Sequence, residues 1–98
     1  MEQHPGIVFR PGPSGRRAAL FRGPDVWEIV GLVRSLETRG QAAIAEASEW
    51  LGLAVDQIRV ALDYYGEFPD EIDREIEAND IATARAERIA RTQQQLIQ

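Results

Sequence analysis

Every proline and glycine in this chain falls before residue 70. Proline lacks a backbone N–H and glycine supplies conformations other residues resist, so the two punctuate structure. Their positions cut the first 69 residues into short pieces, while residues 70–98 contain nothing that stops a helix. A punctuated, compact region followed by one long helix is the expectation. Ninety-eight residues allow one small domain, or one domain plus a tail. A composition of 44% hydrophobic and 28% charged residues suits a folded soluble chain. The absence of cysteine excludes a disulfide scaffold, a thiolate zinc site and a thiol nucleophile. No apolar run approaches the roughly 20 residues of a membrane helix, and no signal-peptide core is present, so the expected compartment is the cytoplasm.

Residues 1–5 read as a flexible tail. Residues 6–10 and 16–22 flank Pro11-Gly12-Pro13-Ser14-Gly15, which reads as a β-hairpin with a five-residue loop. A lone two-stranded hairpin is barely stable in water, so it must lie on the helices or pair with a second copy; a homodimer is expected. Pro24, Asp25 and Glu28 mark a helix start. Val26, Ile29, Val30, Val33 and Leu36 then form an inward stripe to about residue 38, and Gly40 stops it. A second helix from Gln41 to about Trp50 turns Ile44, Ala47 and Leu51 inward. After a turn at Leu51-Gly52-Leu53, a third helix from Val55 to Tyr65 buries Val55, Ile58, Leu62 and Tyr65. Tyr64 then faces sideways, and Trp27 and Trp50 are expected to pack in the core or an interface. Gly66 and Pro69 end that helix. A fourth runs from Pro69 to about residue 95 with a thin stripe of Ile72, Ile76, Ala82, Ala86, Ile89 and Leu96. The fold class is mainly α: an N-terminal hairpin and a three-helix, helix-turn-helix-like core over 6–66, then an extended C-terminal partner-binding helix over 67–98.

Catalytic chemistry is poorly supplied. His4 is the only histidine and sits in the tail; Ser14, Ser35 and Ser48 have no histidine placed to activate them. Asp70, Glu71 and Asp73 are better read as acids complementing a helix N-terminus than as metal ligands. No phosphate-binding glycine loop is present. No enzyme, metal or cofactor is expected. The basic residues are all arginine, and only residues 1–24 carry net positive charge, +3; residues 25–68 carry −5 and residues 69–98 carry −3. An overall charge of −5 argues against nonspecific nucleic-acid binding. A dimer that pools Arg16, Arg17 and Arg22 offers the best DNA-facing surface. The second and third helices form a candidate helix-turn-helix whose outward face is Asp56, Gln57, Arg59, Val60 and Asp63. Gln57 and Arg59 can read base edges, while the two aspartates repel phosphate.

Residues 58–73 carry Ile58, Ala61, Leu62, Tyr64 and Tyr65, followed by Glu71-Ile72-Asp73. This segment resembles the VapB-like antitoxin family, a domain with a homeodomain-like helix-turn-helix. Gly15 to Leu20 and Gly23 to Glu28 look like an actinobacterial-type branch of it, and the resemblance covers roughly residues 6–90. It implies the antitoxin of a type II toxin–antitoxin pair, beside a PIN-like ribonuclease toxin. Such antitoxins neutralise the toxin through their C-terminal segment and often repress their own operon as dimers. Two features depart from the family: Ala54 stands where Ser or Thr commonly caps the third helix, and the third helix is acidic. On this reading Tyr64, Ile72, Ile76, Arg85, Ala86, Arg88, Ile89, Arg91 and Leu96 contact the toxin, with the arginines reaching its metal-binding carboxylates. A stand-alone helix-turn-helix transcriptional regulator is the alternative.

Overall fold

The computed structural model describes residues 4–13 and 15–98. Two antiparallel strands, β1 (Ile7–Gly12) and β2 (Gly15–Leu20), precede four helices. These are α1 (Val26–Ser35), α2 (Gln41–Leu51), α3 (Val55–Glu67) and α4 (Pro69–Ile97). The fold is mainly α with an N-terminal hairpin, as the punctuation predicts. The hairpin is tighter than expected: Gly12 pairs with Gly15, so only residues 13 and 14 separate the strands. Ser14 and residues 1–3 of the expected tail lie outside the described residues.

Three consecutive residues of β2, Ala18, Ala19 and Leu20, are buried. The far side of β2 is closed by a bridge from Ala19 to Asp25 and by the Leu20 N–H donating to the Pro24 carbonyl at 3.0 Å. The hairpin therefore rests on the helices of its own chain. His4, expected in a free tail, is held as well. It pairs with Glu67 and meets the Tyr64 ring edge-on, with centroids 5.2 Å apart.

The core joins Leu20, Val26, Ile29, Val30, Ala47, Ile58, Ala61, Tyr64 and Ile72. Val33, Leu36, Ile44, Leu51, Leu62 and Tyr65 pack around it, half-buried. Helix α1 ends at Ser35, short of residue 38, because Leu36 turns extended (φ −77°, ψ 149°). Gly52 closes α2 in the left-handed region (φ +66°), where a side chain would be strained.

The two tyrosines exchange the roles expected of them. Tyr64 is 1% exposed and Tyr65 is half-buried. The third helix is in contact with α1, α2, β2 and α4. Its innermost line is consequently Ile58, Ala61 and Tyr64. The line Val55, Ile58, Leu62 and Tyr65 overlooked Ala61, whose small side chain is what brings the neighbouring elements close. Trp50, expected to pack, is 70% exposed.

The body also extends beyond the boundary expected at Gly66. Ile72 is fully buried and Ile76 half-buried, so the first two turns of α4 belong to the core. From Glu77 onward every residue of α4 is exposed.

Candidate functional site

Two surfaces carry the residues singled out above: the hairpin with α3, and the free part of α4. On α3, Ala54 cannot cap the helix, having no side-chain acceptor. Gln57 supplies half of a capping box instead, its Oε1 accepting from the Ala54 N–H at 2.9 Å. Arg59 Nη2 donates to Gln41 Oε1 at 2.9 Å, tying α3 to α2. Both expected base-reading residues thus have partners within the fold, and Asp56 and Asp63 on either side of them are exposed.

The hairpin arginines divide similarly. Arg17 donates to the Pro11 carbonyl at 3.0 Å and pairs with Asp25, whose side chain is only 3% exposed. Arg10, which the charge pattern did not single out, holds the same cluster. Its two Nη atoms donate to the Gly23 and Leu20 carbonyls at 3.0 and 3.1 Å, and Nη1 lies 3.8 Å from Asp25 Oδ1. Trp27 Nε1 completes the set, donating to Asp25 Oδ2 at 3.2 Å. Asp25 was legible as a helix start; its burial between two arginines has no local signature. Arg16 and Arg22 are exposed, stacked over Phe9 at 4.1 Å and over Phe21 at 5.2 Å.

No family model, curated protein or solved structure matches this chain.

A second polar cluster fixes the base of α4. Arg34 of α1 pairs with Asp73 of α4, and Arg34 Nη2 also donates to Tyr65 Oη at 2.6 Å. Tyr65 in turn donates to Asp73 Oδ1 at 2.9 Å. The Arg34 hydrogen bond, reinforced by Tyr65, holds the Asp73 carboxyl below the usual carboxylate range. Nearby, Tyr64 donates to Glu71 Oε1 at 2.8 Å, and burial with that bond raises the Tyr64 hydroxyl well above the ordinary tyrosine range. Tyr64 and Ile72, expected on a partner-binding face, are inside the molecule instead. Ile76 is half-covered by the body. Arg85, Ala86, Arg88, Ile89, Arg91 and Leu96 are all exposed on the free part of the helix.

Where α4 parts from the body, a cavity of about 540 Å³ opens between it and the hairpin, walled by Arg16, Trp27, Glu71, Glu75, Ala78 and Asn79. Glu71 Oε2 and Glu75 Oε1 beside it are buried with no hydrogen-bond partner among the described residues. Among the described residues no group of three or more His, Cys, Asp and Glu side chains could hold a metal, and no helix is long and apolar enough to cross a membrane.

Burial, then the neighbouring charges of Glu71 and Asp25, raises the Glu75 carboxyl above its ordinary value, with Arg17 opposing. A carboxyl raised in the folded state binds its proton more tightly there than in the unfolded chain. Stability is therefore lost as pH rises from the ordinary carboxylate range through the folded value. Glu75→Gln is expected to raise the melting temperature at pH 7 and to flatten its decline between mildly acidic and neutral pH. Thermal scans of both proteins across that range check it; a lower melting temperature for the variant at pH 7 contradicts it.

Proposed function

We propose that this chain is the antitoxin of a type II toxin–antitoxin pair and neutralises a PIN-like ribonuclease through residues 77–97 of α4. The observation that carries the reading is that this stretch is helical yet exposed throughout, while the rest of the chain forms a complete core without it. An amphipathic helix with no partner inside its own chain is a form suited to a groove on another protein. Arg85, Arg88 and Arg91 make no ion pair among the described residues, so their guanidinium groups are available to carboxylates. Bidentate pairing with the acidic residues that hold a nuclease metal would compete with the metal directly. Ile89 and Leu96, 46% and 84% exposed, supply the apolar anchors, and Ala86 permits close approach.

The alternative of a stand-alone helix-turn-helix regulator has less support. It needs α3 free to enter a DNA groove, whereas Gln57 and Arg59 are engaged within the fold and Asp56 and Asp63 face solvent. For operator DNA the exposed Arg16 and Arg22 are better placed.

The test is co-expression with a PIN-like ribonuclease, sought in the adjacent reading frame where the proposal places it. Truncation after Ala78 keeps Ile72 and Ile76, so the body should stay folded but fail to restore growth. Ile89→Asp should weaken the complex at least about tenfold, since a buried charge without a partner costs more than about 1.4 kcal/mol. Full neutralisation by the truncated body would refute the proposal.

A further inference from the structure

The cavity where α4 leaves the body is lined by three elements of different chemistry. The hairpin brings Arg16 and Arg17, and α1 brings Trp27. Helix α4 brings Glu71, Arg74 and Glu75, which share one face at spacings of three and four. The volume of about 540 Å³ falls within the roughly 300–1,000 Å³ of small-molecule sites. Part of the lining is already committed. Arg17 pairs with Asp25, the Trp27 N–H donates to the same carboxylate, and Glu71 Oε1 accepts from the Tyr64 hydroxyl. Three things are left over. Arg16 and Arg74, both exposed, make no ion pair among the described residues. Glu75 makes none either, and its Oε1 is buried with no hydrogen-bond partner among those residues. Trp27 offers its apolar ring, since its N–H is in use.

These uncommitted groups exclude simple ligands. An isolated cation meets two free guanidinium groups, and an isolated anion meets Glu75. An aliphatic molecule covers charged groups and pairs with none of them. A molecule that fits carries an anionic group at one end and N–H donors on a flat ring at the other. The geometry points to a free guanine nucleotide, its base stacked on the Trp27 ring, its N1–H and N2–H donating to Glu75, and its phosphate held by Arg16 and Arg74. The carboxylate chooses the base. An ionised carboxylate only accepts, and guanine alone sets two donors side by side on its pairing edge, one for each oxygen. Adenine and cytosine place a ring-nitrogen acceptor beside the amino donor, and uracil flanks its N–H with two carbonyls. The last torsion of a glutamate is soft, so the buried oxygen of Glu75 can turn to the base without a backbone change. Guanidinium groups suit phosphate, and the Phe9 ring 4.1 Å from the Arg16 guanidinium supports that side chain without using its N–H donors. The cavity reaches no further along α4 than Asn79, short of Arg85 and Ile89. This inference therefore goes beyond the proposed function and does not depend on it.

The experiment uses the full chain. Calorimetric titration with guanosine 5′-monophosphate should show one saturable site. The adenosine, cytidine and uridine monophosphates, and guanosine without its phosphate, should each bind at least about tenfold more weakly. Tyrosine, a zwitterion with both charges on one carbon, and a strand holding guanine between uridines should bind no better than the free nucleotide. Trp50 is 70% exposed, so Trp50→Phe leaves Trp27 as the single indole, and the nucleotide should quench its fluorescence along the same curve. Two variants, each with an unchanged circular dichroism spectrum, separate recognition from folding. Arg74→Met should weaken guanosine monophosphate at least about tenfold while leaving guanosine unaffected. Glu75→Gln should bind the guanine and adenine nucleotides alike. No binding at millimolar nucleotide, equal affinity for all four bases, tighter binding of tyrosine or of the strand, or guanine preference retained in Glu75→Gln would each overturn the inference. None of these measurements involves a nuclease, so their failure is separate from failure of the antitoxin reading.

Discussion

Arg17→Met is expected to lower stability by about 3 kcal/mol, on the order of 15 °C in melting temperature for a domain of this size. The reason is the environment of Asp25 rather than of the arginine. Arg17 is 37% exposed and loses little by removal from its site; Asp25, 3% exposed, is left as a buried carboxylate. Arg10 at 3.8 Å and the Trp27 N–H at 3.2 Å remain, and they moderate the loss without replacing a direct ion pair. Asp25→Asn in the Arg17→Met background should recover more than half of the loss, because the neutral amide keeps a hydrogen-bonding oxygen and removes the stranded charge. Chemical denaturation of the single and double variants gives the coupling directly. Additive effects would show that the cluster is incidental to stability.

The second large effect is expected from where the chain is cut. Removal of everything after Gly66 deletes Ile72, which is fully buried, together with Phe68 and Ile76, which pack on the same core. It also removes Glu71, the acceptor of the buried Tyr64 hydroxyl. Loss of a buried isoleucine side chain alone costs about 2–5 kcal/mol, and a domain this small has roughly 5–10 kcal/mol in all. The shortened chain should show no cooperative thermal transition. A cut after Ala78 spares every one of these contacts and should shift the melting temperature by only a few degrees. Calorimetry of the two truncations decides it; a cooperative transition in the shorter one would return the boundary to Gly66.

The elements themselves were legible because their signals are local. Gly40, Gly52 and Pro69 stand at helix boundaries, and the unpunctuated residues 70–98 form nearly all of the long helix; Gly66, read as a stop, lies inside α3, which runs on to Glu67. What failed was anything decided by a neighbour distant in sequence. The spacing of large apolar residues chose Tyr65 over Tyr64, because alanine carries little weight in such patterns and Ala61 lies on the true inner line. The apolar spacing of the fourth helix reads as one stripe from Ile72 to Leu96, yet α1 and α3 pack on α4 and its first two turns are covered while the rest is free. Arg17 looked like a DNA contact because net charge counts it and cannot see Asp25.

The cap on α3 is half of a reciprocal device, and that couples two positions. Gln57 accepts from the Ala54 N–H that begins the helix. A serine at position 54 would accept from an N–H of the first turn, a different amide from the one Gln57 holds. Ala54→Ser therefore completes the box and cannot stand in for Gln57. Loss of Gln57 leaves the residue-54 amide to solvent whichever residue stands there, so a recognition residue at position 57 always comes at the cost of that bond.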